Sequence, residues 1–356
     1  MSETAASAPV APYRPGEAAQ GFLWIYGLSI VSCYLVNLWV TNYPIGPWRG
    51  EDIAKSFWLD NVSWQIFAAW WACFFVVCGL WPFNGIANKL TRGIAVVVVS
   101  WILGWWSAKL IFLIGPGVNG IFPLVGTTWF LLAFFCFAGG NFLVGHLPPH
   151  RQFFIHLMVF TGLTYLITHS SVLWVPAWWF PFLLVGLGTG TVTYLTRGLP
   201  QPGKAIVIMS ILFAVAALCF QISAAAGYWQ LDKPSVSAFW TTGHFTDDQF
   251  WLLCFMTATS INYAMPIITH NWPFTNIAMP WGGLLACLFY LVLDVVVASI
   301  LVKLVGPVFS SMEELLTYAY MGVNWSLVIP LVFGIGLQHP YLWTGQKTPG
   351  DWDNVT

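Results

Sequence analysis

Ten stretches of this chain are long and apolar enough to cross a lipid bilayer as helices, and no other feature limits the fold as much. They lie at 21–41, 64–81, 93–114, 121–144, 153–170, 174–195, 205–226, 250–268, 279–302 and 318–337. A spanning helix needs about 20 mostly apolar residues, and these continuous runs lack the alternation of a barrel strand. Charge is correspondingly scarce. Of 356 residues, 12 are basic and 13 acidic, 7% in all, where a soluble chain carries roughly a quarter. Such a surface excludes an ordinary soluble enzyme and a nucleic-acid binder. The expected fold class is an all-α polytopic membrane protein of about ten transmembrane helices. Its expected partners are the lipid bilayer and other membrane-protein subunits, with no nucleic acid.

The connections set the expected orientation. Arg14, Lys89, Arg92, Arg151, Arg197, Lys204 and Lys347 fall on one side, in short loops and tails, against Arg49, Lys55 and Lys233, with Lys109 and Lys303 at helix ends, on the other. Glu51, Asp52, Asp60, Asp232, Asp247, Asp248, Glu313 and Glu314 fall on the other. Clustered Lys and Arg mark the cytoplasmic face. Both termini are therefore expected in the cytoplasm, in a plasma (inner) membrane, with 42–63 and 227–249 outside. Residues 1–20, rich in Ala and Pro, are expected as a disordered cytoplasmic tail. Residues 21–337 form a single bundle and 338–356 a second cytoplasmic tail. The seven Cys all sit in apolar runs without a CxxC pair, as small hydrophobes rather than disulfide partners.

The bundle carries an internal echo. Asp60-Asn61 and Trp64 are matched by Asp247-Asp248 and Trp251, each set preceded by Phe-Trp. Trp81-Pro82-Phe83 is matched by Trp272-Pro273-Phe274, with Ile86-Ala87 and Ile277-Ala278 following. Lys109-Leu110 before Gly115-Pro116 is matched by Lys303-Leu304 before Gly306-Pro307, and 34 residues separate each Trp-Pro tryptophan from its Gly-Pro. Gly126 with Trp129 is matched by Gly322 with Trp325. The offset is six helices, an even number, so the two copies insert in the same sense. A parallel repeat is expected: helices 1–4 (21–144) and helices 7–10 (205–337), joined by helices at 145–204. Asp60 and Asp247 are expected just ahead of their helices, where a carboxylate accepts from free backbone N–H groups. The Gly186-Gly188-Gly190 and Gly139-Gly140 stretches are expected to serve close helix packing.

Asp294 breaks the pattern. It lies in Tyr290-Leu291-Val292-Leu293-Asp294-Val295-Val296-Val297, about 12 Å inside the outer end of its helix at ~1.5 Å per residue. The first copy has no acid at the matching place near Ser100. An acid at that depth faces the bundle interior, protonated or partnered. Lys109, from the related helix of the first copy, is the expected partner. The polar eighth helix and the residues after it, with Asn262, Tyr263 and His270, are expected to line the same cavity. Asp294, Lys109, Asn262, Tyr263 and His270 are thus the expected substrate or proton pathway.

Three functions fit these residues. The first is a transporter or permease for a small amphipathic or aromatic solute, from the parallel repeat, the buried acid and the lack of P-loop, HExxH and GxSxG motifs. The second is a membrane-embedded redox or oxygenase component, with haem or a metal held by His146, His150, His156, His270 and His339. Against it, His156 and His169 sit about 140° apart around one helix, and Pro148-Pro149 keeps His146 and His150 from acting as a helical pair. The third is a non-catalytic subunit of a membrane complex. The sequence names no cofactor. The topology has a direct check. Ser235→Cys or Ile53→Cys should react with an impermeant thiol reagent added to intact cells; labelling from the cytoplasmic side alone would reverse the orientation.

Overall fold

The computed structural model describes residues 53–114, 118–169, 180–225, 261–262, 271, 273–305 and 307. Every regular element among them is helical. In chain order these are α1 (Ile53–Val77), α2 (Lys89–Ile114), α3 (Val118–Leu132), α4 (Pro149–Ile155), α5 (Thr161–His169), α6 (Phe180–Gly188), α7 (Thr191–Leu195), α8 (Gly203–Ala225) and α9 (Trp281–Ile300). Wider i→i+5 turns at Ala133–Phe137, His156–Phe160 and Leu301–Val305 extend α3, join α4 to α5 and extend α9. The expected spans at 21–41 and 318–337, most of 250–268, both long connections and both tails lie outside the described residues.

Two described helices, α2 and α9, are long and apolar enough to cross a membrane. Both are apolar on the side that faces away from the protein as well as the side that packs. On α2, Ile94, Val98, Ile102, Trp106, Leu110 and Leu113 are exposed. On α9, Trp281, Leu284, Leu288, Phe289, Val292 and Val296 are exposed. A helix packed against the core of a soluble domain carries a polar outer face, and these two do not.

Several expected boundaries move. The span expected to begin at 64 is already helical from Ile53, because no Gly or Pro interrupts the chain between Gly50 and Gly79. Asp60 therefore lies inside α1 rather than ahead of it, so the expected capping role does not hold at this position. Lys89 and Arg92, expected in a loop, belong to the first turns of α2, and Arg92 is buried with its Nη1 donating to Ile86 O at 3.5 Å. The span expected to reach 144 ends sooner. Gly140 and Asn141 adopt left-handed φ values of 56° and 58°, and the chain turns from Ala138 onward. The span expected at 174–195 is broken in two, α6 and α7, at Gly190 with φ 70°, a conformation glycine reaches without steric penalty.

Among the described residues, the largest core forms where α1 packs on α2, α3 and α4. Phe67, Phe74 and Leu132 are fully buried there, beside Val96 and Phe153. The α1–α2 contact is close enough that a Cβ at Gly104 would fall on the Ala68 backbone. Tryptophans then lock it through their N–H groups. Trp64 Nε1 donates to Trp101 O at 3.0 Å and Trp71 Nε1 to Ser107 Oγ at 2.9 Å. A second core joins α3, α6, α7 and α8 through Leu183, Val192, Ile208 and Leu212.

Two turns share one geometry. Leu80 and Asn271 are left-handed, with φ of 63° and 58°. Pro82 has φ −90° and ψ 3°, Pro273 φ −88° and ψ 1°. Each is followed by a single 3-10 turn, Phe83–Gly85 and Phe274–Asn276. Asn84 N donates to Leu80 O at 3.0 Å and Thr275 N to Asn271 O at 3.2 Å; Ile86 N and Ile277 N donate to the carbonyls of Phe83 and Phe274. The buried faces of the helices that follow also correspond in order: Arg92, Gly93, Val96, Ser100, Gly104 and Ala108 on α2, and Gly282, Gly283, Ala286, Tyr290, Asp294 and Ala298 on α9.

The Gly104 contact yields a stability test. Gly104→Val should lower thermal stability by about 1–3 kcal/mol, because the backbone of Ala68 cannot move aside as a side chain would. Gly162→Ala on α5, where a Cβ meets only open space, should be neutral or stabilise by up to about 1 kcal/mol. Melting curves of the two purified variants decide the contrast; equal destabilisation would contradict it.

Candidate functional site

The candidate site lies along the buried face of α9. Gly282, Gly283, Ala286, Tyr290, Asp294 and Ala298 recur about every four residues and turn inward. Four residues advance about 400° around a helix, so this face drifts only slowly along the axis. Small residues occupy its ends, which lets the helix seat closely. A Cβ at Gly283 would collide with the Thr191 hydroxyl. Tyr290 and Asp294 occupy its middle, 0% and 3% exposed.

Each polar group on this face meets one from another part of the chain. Asn262 Nδ2 donates to Asp294 Oδ2 at 2.8 Å, and Asn262 is fully buried. Tyr290 Oη donates to Asn271 Oδ1 at 2.9 Å, and Asn271 Nδ2 donates to Gly188 O at 3.0 Å, at the end of α6. Thr189 Oγ1 donates to Val185 O at 2.8 Å. With its one proton so committed, Thr189 accepts from Thr191 Oγ1 at 2.7 Å and from Cys287 Sγ at 3.1 Å. The broken α6–α7 segment thus offers carbonyls and hydroxyls that an unbroken helix would keep for itself, and α9 and Asn271 engage them. Asn262 Oδ1 is buried and receives no hydrogen bond. A buried acceptor in that condition costs about 1–3 kcal/mol.

Asn262 and Asp294, both expected in the pathway, are brought together. Lys109, the partner expected for Asp294, has its ammonium 5.1 Å from the centre of the Trp105 ring. Tyr263 and His270 lie outside the described residues, as do His244, Asp247, Asp248 and His339. Of the expected haem or metal ligands, His146 and His150 are exposed, and the His150 ring is 6.5 Å from that of Trp81. His156 is buried and stacks on Phe160 at 4.9 Å, in an aromatic cluster with Phe74 and Phe135; its Nε2 receives no hydrogen-bond partner. Among the described residues, no three His, Cys, Asp or Glu side chains gather as metal ligands.

Tyr290, Cys287, Thr189 and Thr191 escaped the sequence reading. Tyr290 had a usable signal, since Ala286, Tyr290, Asp294 and Ala298 share one helical face. The two threonines had none, because only the break at Gly190 turns them toward α9. No family model, curated protein or solved structure matches this chain.

The Tyr290 bond is open to test. Tyr290→Phe keeps the ring and leaves Asn271 Oδ1 without its donor, so the variant should lose about 1–3 kcal/mol of stability. Phe289→Leu, on the exposed face one residue earlier, should stay within about 0.5 kcal/mol of wild type. Equal melting temperatures for Tyr290→Phe and wild type would remove the hydrogen bond from the account.

Proposed function

We propose that this chain is a multi-pass inner-membrane transporter whose solute and coupling-ion pathway runs along the buried face of α9. Ten spans with cytoplasmic termini and a parallel repeat form its frame. The observation that carries the proposal is the Asn262–Asp294 pair, a buried carboxylate held by a buried amide in the interior of an otherwise apolar helix. Acids in such positions are expensive and mark substrate, ion or proton paths in membrane proteins. The apolar outer faces of α2 and α9 support a lipid environment, because contiguous exposed apolar surface on that scale needs a membrane or a partner to cover it. The break between α6 and α7, beside the same face, supports a cavity, since interrupted helices at membrane depth line water-filled or substrate-filled space. The matching turns at 80–86 and 271–277, with the corresponding buried faces that follow them, support the duplication. A small amphipathic or aromatic solute suits a pathway with one carboxylate among phenyl and indole rings.

Purified protein would be screened for thermal stabilisation by a panel of small amphipathic and aromatic solutes, and each hit tested for counterflow into vesicles. At least one hit should exchange across the membrane. Asp294→Asn should reduce that exchange by at least tenfold while leaving expression and melting behaviour near wild type. Full exchange in a well-folded Asp294→Asn protein would reduce the residue to a packing contact.

His156 favours a second reading, in which the chain is a redox component. Its buried Nε2 lacks a partner and sits among aromatic rings, a position suited to an axial ligand. A stoichiometric Soret band, or bound copper or iron in the purified protein, would replace the transporter proposal with this one.

A further inference from the structure

We infer that the Asp294–Asn262 pair is a proton-binding site, in which a proton on Asp294 Oδ1 is donated to Asn262 Oδ1 while Asn262 Nδ2 donates to Asp294 Oδ2. This rests on the transporter reading only for its consequence, that the coupling ion is H⁺; the site itself stands on its own geometry. Donor and acceptor counts carry the argument. An ionised carboxylate only accepts, and an amide supplies two N–H donors and one acceptor oxygen. One N–H is committed to Asp294 Oδ2 at 2.8 Å. The amide oxygen beside it is wholly buried and receives no hydrogen bond. Reversing the amide does not remove the deficit, since it sets an acceptor against the carboxylate and strands the NH2 group instead. A single added proton resolves it, because a carboxylic acid and a primary amide are self-complementary and close a ring of two hydrogen bonds. A metal cation is the poorer fit. Sodium or calcium needs several oxygen ligands, and two residues supply them only in part.

The step balances simply. On loading, water on one side of the membrane gives up a proton and an O–H bond forms at Asp294 Oδ1. On unloading, that bond breaks heterolytically, the electron pair stays on the carboxylate, and the proton passes to water. Asn262 is the positioning residue, since it favours the protonated state by offering an acceptor that nothing else fills.

Few other titratable groups surround the pair among the described residues. On α9 these are Cys287 and Tyr290, whose hydrogens are engaged by Thr189 and Asn271, and Lys303 lies nine residues beyond Asp294. The α6 and α7 helices, which pack against α9, bring Tyr194 alone. Lys109 on α2 lies over Trp105.

Infrared difference spectroscopy on the full chain, in phosphatidylcholine–phosphatidylglycerol vesicles stepped between neutral and alkaline pH, reads the site directly. The wild type should show a protonated carboxylic acid C=O band at neutral pH that shifts in D2O and on isotopic labelling of aspartate. Raising the pH should convert it to carboxylate. The band should vanish in Asp294→Asn and move to the position of a less strongly hydrogen-bonded acid in Asn262→Leu. A labelled wild type with no protonated aspartate at neutral pH overturns the inference, whatever the variants do. So does a band that persists in Asp294→Asn, or one unmoved by Asn262→Leu in a variant that melts like wild type. A wild type that shows the band yet moves no solute supports the proton site and sinks the transporter reading. Solute exchange in a protein without the band does the reverse.

Discussion

The hydrogen bond between Asn262 and Asp294 is possible only because α9 seats its whole inner face tightly, and that seating depends on small residues at both ends of the face. Gly282, Gly283 and Ala286 let the helix approach the α6–α7 break, and Ala298 lets it close on the main core. Larger side chains there would hold α9 away, and the polar middle would be left open. The same logic operates in α2, where Gly104 meets the Ala68 backbone. Helices that are apolar all round gain little from sorting apolar from polar faces. Close packing and directed hydrogen bonds must then decide which face turns inward.

Aromatic residues do the complementary work. Phe67, Phe74 and Phe153 fill the space between α1, α2 and α4, and the indole N–H groups of Trp64 and Trp71 cross to α2 as donors. Both rings are half-buried, and an indole held by its N–H to an acceptor fixes orientation as well as volume. The broken α6–α7 segment provides the polar counterpart. Its carbonyls at Val185 and Gly188 are capped by Thr189 and by Asn271, so a discontinuity that would be costly in an apolar setting becomes a docking surface for α9.

Two facing features separate the halves of the proposed repeat. The helices after the matching turns bury faces of the same spacing, and Gly104 on α2 takes the place of Asp294 on α9, with Ser100 in the place of Tyr290. Ser100 satisfies itself within its own helix, donating to Val96 O at 2.6 Å. Asp294 has no such local option as an acceptor and reaches Asn262 across space.

Much was legible in the sequence, for a definite reason. Helix type, the apolar character of α2 and α9, and the inward placement of Asp294 follow from composition and period, because these are properties of single segments in their surroundings. Local turn chemistry was legible too, since Trp-Pro-Phe recurs where the two turns recur. Helix starts were less so. Asp60 looks like a cap only until one notes that nothing before it breaks the helix. The partner of Asp294 was beyond the sequence. Lys109 and Asn262 are both plausible by charge and polarity, and tertiary packing placed the amide of Asn262 at hydrogen-bonding distance and the Lys109 ammonium over an indole ring. The sequence by itself determined what each segment is; only the folded arrangement decided which polar groups meet, because that depends on helix rotation and approach distance, which small residues and the break at Gly190 control among the described residues.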